Sequence, residues 1–335
     1  MRRIGITTTV PAEFIFAAGA APVDLNNIFI TDAAPGRMVE RAEADGLPRA
    51  VCGWIKGMYG AAISSRLESV IAVSEGDCSH TRTLMEILGE EGINAIPFAY
   101  PYDRDYALLK LQMEKLASLL GITFADAVNT MLEMDEIRRK LHRIDLMTWR
   151  DNKVSGFENH LYLVSASDMD GDMARFGRQV DAFLEEAQGR AEFPQEIRLG
   201  FIGVPPIVTD LYQFLETRGA RVVFNEVQRQ FTFPFDTDDL VERYRQYTYP
   251  YDIFSRIADI KAEAQKRGLH GIIHYVQSFC HHQMEDMVFR KHLSHLPMLA
   301  VEGDAPGPLD ARTRLRLESF CEMLSAKRAA AKAVS

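Results

Sequence analysis

The sequence predicts an α/β fold made of two Rossmann-like (flavodoxin-like) parallel-sheet lobes with a helical middle segment. Three observations predict it. Short β-branched runs alternate with helical patterns near the start of the chain and again after Pro194, the rhythm of α/β units around parallel sheets. Between them that rhythm stops and apolar residues recur at helical spacing. The 335 residues, 47% apolar and 25% charged, suffice for about two domains with cores of their own. The expected organisation is an N-terminal α/β lobe over residues 1–104, a helical segment over 105–194 and a C-terminal α/β lobe over 195–335.

In the first lobe, residues 3–8, 69–74 and 94–98 read as strands. Residues 81–90 between them carry Leu84, Ile87 and Leu88 at helical spacing, with Gly89 and Gly92 marking the helix end. In the middle segment, Leu108, Leu109, Leu111, Met113, Leu116, Leu119 and Leu120 make one apolar helix face, and residues 125–143 make another. Asp103 and Asp105 are candidate caps for the first of these. Ser155 and Glu158 have capping-box spacing, and Asp168 is a candidate cap for the helix carrying Phe176 and Val180. In the last lobe, residues 197–202, 221–225, 271–276 and 298–301 read as strands. Residues 208–217 and 312–327 read as helices, 231–251 as a long ordered loop and 329–335 as a frayed tail.

Composition narrows the function. A net charge of −9 argues against a nucleic-acid surface. No apolar run approaches the roughly 20 residues of a membrane helix. The start runs straight into a strand pattern without an export signal, so the expected location is the cytoplasm. Four cysteines do not make a disulfide scaffold.

Their placement is more informative. Cys78 and Cys280 each follow an expected strand and precede an expected helix, at the strand ends where parallel sheets collect ligands. Helix amides directed at a sulfur favour thiolate, the form that binds metal. Cys52 opens a helix whose Gly53, Gly57 and Gly60 form a small face for close approach. Cys321 shares a helix face with Leu317 and Leu324, a core position. An isolated buried cysteine is usually only a small hydrophobe, and without a CxxC pair the spacing specifies neither zinc nor a cluster.

Longer stretches resemble the 2-hydroxyacyl-CoA dehydratase and benzoyl-CoA reductase superfamily, in the iron–sulfur D-component type. Residues 9–23, TVPAEFIFAAGAAPV, look like that family's opening P-E-E-L-I-x-A-A-G-x-x-P-V. Gly76-Asp77-Cys78-Ser79-His80 and Tyr275-Val276-Gln277-Ser278-Phe279-Cys280 are similar to two of its cysteine segments. Pro297–Asp304 and Glu318–Leu324 fit its ending. Two places depart from it: His281-His282 follows Cys280 where the family has Asp-Pro, and Asn225–Arg229 replaces a Cys-containing segment.

The resemblance implies a [4Fe–4S] cluster held by Cys52, Cys78 and Cys280, with the fourth iron left for water, a protein atom or substrate. It implies an oxygen-sensitive lyase in which an ATP-dependent activator iron–sulfur protein injects one electron. The acyl-CoA becomes a ketyl radical, which makes the β-proton acidic and lets the hydroxyl leave as water. This chain has no G-x-x-x-x-G-K-[ST] phosphate loop, so ATP hydrolysis falls to the partner. A homodimer, or a heterodimer with a paralogous subunit, is the expected assembly. Alternatives are a cluster-dependent reductase of a small non-CoA substrate, a non-catalytic iron–sulfur carrier and a Cys₃His zinc protein.

Several further residues have two readings. Glu13, after Pro11, is either an acid/base group or substrate contact, or a charge favoured at a helix N-terminus; the first is the catalytic expectation. His281 and His282 are candidates to donate to cluster sulfides or bind a metal, with at most one of them facing the site, and His80 is a weaker candidate of the same kind. Gln228 and Arg229 either enter the interlobe cleft or lie at the surface. Glu75, Asp77, Glu302 and Asp304 fall at strand ends as caps or site groups. The Tyr244, Tyr247, Tyr249, Tyr251 run reads as packing.

Overall fold

The computed structural model describes residues 1–194 and 197–334. Strands β1 (Arg2–Ile6), β2 (Ala20–Asp24), β3 (Ser69–Glu75) and β4 (Asn94–Ala99) form one sheet in the order β2-β1-β3-β4. Strands β5 (Ile197–Gly203), β6 (Ala220–Asn225), β7 (Gly271–Gln277) and β8 (Met298–Gly303) form a second in the order β6-β5-β7-β8. Every pairing is parallel, so the lobes share one strand order. Parallel strands are covered on both faces, which is why Val70–Val73 and Ile272–Val276 are buried without alternation. The expected starting residue of the second lobe, 195, and Ser335 of the tail lie outside the described residues.

In the first lobe the helices are α1 (Ala12–Ala17), α2 (Leu25–Thr31), α3 (Gly36–Ala44), α4 (Gly53–Ser64) and α5 (Ser79–Glu90). The small face of α4 receives neighbouring chain: a Cβ on Gly57 would sit 2.3 Å from the Phe29 ring, and one on Gly60 2.6 Å from Met38 Cβ. The middle segment is helical as expected, with α6 (Tyr106–Leu120), α7 (Phe124–Trp149), α8 (Gly156–Val164) and α9 (Met173–Gln188). Asp105 caps α6, and Ser155 with Glu158 closes a capping box on α8. The last lobe adds α10 (Leu211–Glu216), α11 (Glu226–Gln230), α12 (Leu240–Gln246), α13 (Ile253–Arg267), α14 (Asp286–His292) and α15 (Ala311–Val334).

Four local expectations are corrected. Strand β2 gave no sequence signal because Ala20–Asp24 holds one β-branched residue and a proline; as an edge strand it tolerates the missing donor. Asp172, not Asp168, caps α9. The stretch read as a loop over 231–251 contains α12, whose Asp239 cap starts a full helix. The tail is helical to Val334, because Ala-rich sequence continues α15 without a stop.

The cores join these layers. Ile71, Val73 and Phe98 pack with Leu109 of α6, Met131 of α7 and Phe176 of α9. A second cluster runs across both sheets, bringing Ile55 and Met58 of α4 together with Ile273 and Val301 and taking in the Cys321 side chain. The lobes therefore meet along an apolar seam.

Candidate active site

In both sheets the chain reverses its direction of winding between the first and third strands, the switch point where open α/β sheets bind ligands. The loops there face one another. Thr7–Thr9 after β1, Asp77 and Cys78 after β3, Val204–Pro206 after β5, and Gln277 and Cys280 at and after β7 all line one cavity of about 110 Å³. Cys52 completes its wall. Three distant segments thus deliver three thiols to one space.

Each cysteine stands at a helix start. Cys52 precedes α4, Cys78 precedes α5, and Cys280 precedes a 3-10 turn, His281–Glu285, that leads into α14. Gly76 permits the turn into Cys78: its φ is +94°, and a Cβ there would meet Tyr100 Cβ at 2.6 Å. Burial pushes the thiols of Cys78 and Cys280 up to about 12 and raises that of Cys52. The amides of Ile55 and Trp54 at Cys52, His80 and Thr81 at Cys78, and His282 at Cys280 pull the other way. None of the thiols closes a normal side-chain cap bond, so the sulfurs stay available.

Among the described residues, no three His, Cys, Asp or Glu side chains converge as a single ion requires. A polynuclear cluster makes a different demand, since its cysteines bind separate irons around a body of finite size. Thiols spread over one cavity wall, each at a helix N-terminus favouring negative charge, fit that demand. Thr81 Oγ1 and Trp54 Nε1, both on this wall, are buried without a partner.

The wall also carries carboxyl groups. Asp24, at the end of β2, accepts from Asn26 N and Nδ2 at 2.9 Å and from Ser167 Oγ at 2.7 Å, while its own amide donates to Asp168 Oδ2 at 2.8 Å. Burial raises the pKa of Asp24, and burial together with the Asp24 charge raises that of Asp168 to about 7. Burial likewise raises Asp77.

Other candidates separate clearly. His282 lines the cavity, with Nδ1 2.8 Å from Glu285 Oε1. His281 is exposed, and neither it nor His80 lines the cavity. Arg229 is turned away into an ion pair with Asp259 at 3.0 Å and Glu263 at 3.3 Å. Glu13 does not line the cavity either. It is wholly buried, with Oε1 accepting from Arg138 at 2.7 Å and Oε2 from Tyr244 at 2.8 Å. Tyr249, read as packing, lies on the cavity wall. Sequence reasoning missed Asp24 and His160 there. Recognising β2 would have placed Asp24 at a strand end; nothing in the α8 pattern marks His160.

The family model described as 2-hydroxyglutaryl-CoA dehydratase, D-component, matches residues 7–324. That span includes the whole cavity wall and all four cysteines. No curated protein matches the chain.

Proposed function

This chain belongs to the 2-hydroxyglutaryl-CoA dehydratase D-component family, and we propose that it is the cluster-bearing component of a 2-hydroxyacyl-CoA dehydratase. The observation that carries this reading is the meeting of Cys52, Cys78 and Cys280 on one cavity at the switch points of two sheets. A [4Fe–4S] cluster held by these sulfurs would supply one-electron reduction at low potential. Residues of the first lobe, of the middle segment and of the last lobe all line the cavity.

The chain's own residues do the rest. Helix-start amides stabilise the thiolates once their protons have left. Asp24 and Asp77, whose pKa values burial raises, stand on the wall of the space where a hydroxyl departs. Overall the 2-hydroxyacyl thioester loses OH⁻ from C2 and H⁺ from C3, giving a 2-enoyl thioester and water. The electron is returned, so the reaction is redox-neutral. The proton taken from C3 ends on the departing hydroxide, so that one water balances the reaction. Glu13 acts as an anchor between helices and His282 as a neighbour of the cluster. The electron comes from an ATP-dependent activator iron–sulfur protein, and the chain works as a homodimer or beside a paralogous subunit.

A second reading keeps the cluster and takes a small substrate without CoA. One observation favours it: among the described residues, no Lys or Arg lines the cavity. One measurement tests the first reading before any assay. Protein purified without oxygen is expected to be brown, with about four irons and four sulfides per chain. Colourless protein holding one zinc would sink it. Thermal protection by 2-hydroxyglutaryl-CoA, and none by small hydroxy acids, then decides between the two substrates.

A further inference from the structure

The cavity wall holds one imidazole that this reading does not use. His160 lies on α8, its ring stacked on Tyr212 at 5.4 Å and 26°. Its Nδ1 is 3.0 Å from Nε2 of the fully buried Gln228. With that amide nitrogen donating, Nδ1 accepts and the ring proton sits on Nε2. Among the described residues no group bonds Nε2.

The platform is fixed from behind. Tyr212 donates to Asn225 Oδ1 at 2.9 Å, and Asn225 Nδ2 donates to Gly156 O at 3.1 Å and Asn159 Oδ1 at 2.8 Å. Those bonds tie the stacking partner to the same helix that carries His160. Burial alone lowers the imidazole pKa to about 4, so the ring is neutral at physiological pH. A neutral ring gives a hydrogen bond without giving up its proton.

We propose that His160 is a substrate-binding residue, a fixed N–H donor whose Nε2 bonds an oxygen of the bound substrate. The identity of that oxygen rests on the dehydratase reading: it is the thioester carbonyl, where negative charge develops on one-electron reduction. A donor already in place inside a cavity stabilises that charge more than it stabilises the neutral carbonyl.

The test compares H160F with the wild type, both cluster-loaded, because phenylalanine keeps the stack and the approximate volume but removes the N–H. Iron, sulfide and midpoint potential are expected to stay unchanged. Affinity for 2-hydroxyglutaryl-CoA is expected to fall about tenfold and activator-driven turnover about 10²-fold, the scale of a lost oxyanion donor. Nitrogen-15 spectra of labelled histidine are expected to show the Nε2–H tautomer, neutral from pH 5.5 to 8, shifting on addition of 2-hydroxyglutaryl-CoA. Unchanged affinity and turnover in H160F, or an Nδ1–H tautomer, would overturn the proposal. A moved potential with unchanged affinity would also overturn it, assigning the N–H to the cluster. Wild-type protein that carries no iron, or fails to bind the probe, would sink the dehydratase reading; the tautomer would still decide whether His160 is a donor.

Discussion

Replacing Glu13 by Gln separates an anchor from a catalyst. The carboxylate is wholly buried on α1 and ties together Arg138 of α7 and Tyr244 of α12, through bonds of 2.7 and 2.8 Å. Breaking a buried ion pair by removing one partner costs about 3–5 kcal/mol. Two features reduce that here. Arg138 keeps Asp135 at 3.1 Å as an acidic partner, and the Gln carbonyl still accepts one of the two bonds. The expected loss is about 2–3 kcal/mol. At about 2.1 cal/mol/K per residue, unfolding this chain carries an entropy of roughly 0.7 kcal/mol/K, so Tm should fall by roughly 3–4 °C. Thermal unfolding of cluster-loaded E13Q measures it, alongside iron content and turnover well below Tm, both expected to match the wild type. An unchanged Tm with turnover lost would refute the anchor and restore Glu13 as an acid/base group.

Further outcomes follow from the same geometry. Cys52→Ala, Cys78→Ala and Cys280→Ala should each lose iron, whereas Cys321→Ala should keep it and lose roughly 1 kcal/mol of stability; iron loss in Cys321→Ala alone would show the ligand set to be wrong. Burial raises all three cavity thiols, so loading a cluster expels up to about three protons. Cluster retention against a chelator should therefore strengthen steeply from pH 6 to 8, and a flat profile would contradict the burial. Asp168 binds its proton more tightly folded than unfolded, with a folded pKa of about 7 against 3.8. Its contribution thus makes stability fall as pH rises from about 4 through 7, by a few kcal/mol. In D168N denaturant titrations should lose that slope; a slope as steep as in the wild type would place the titration elsewhere.

Much of the fold was legible because parallel strands are short, apolar and β-branched. Residues 69–74 and 271–276 announced β3 and β7 almost to the residue. What escaped was set by context. The Ala-Pro content of β2 hides a strand that exists because β1 offers it an open edge. The site shows the same division. Cysteines at strand ends are visible in the sequence, since strand, turn and helix follow one another locally. The orientation of His281 against His282, or of Arg229 toward Asp259, depends on α13 and the 3-10 turn packing together, and no local pattern records it. Glu13 illustrates the converse: its position in the first turn of a helix is local, but its partners come from residues 138 and 244.

The shared strand order accounts for the three-plus-one character of the proposed cluster site. Cys78 and Cys280 occupy equivalent places, each after the third strand of its own sheet. Cys52 has no such twin. It starts the helix that precedes the third strand of the first sheet; the helix preceding the third strand of the second sheet is α13, and Asp252 stands at its start. Asp252 is occupied there, accepting from Phe254 N at 2.9 Å and Ser255 N at 3.0 Å while pairing with Arg104 at 3.5 Å, and it does not line the cavity. Two similar lobes thus supply a matched pair of thiols, and one lobe alone supplies a third. Asp252, committed to its own helix and off the cavity wall, adds no fourth ligand from the second lobe.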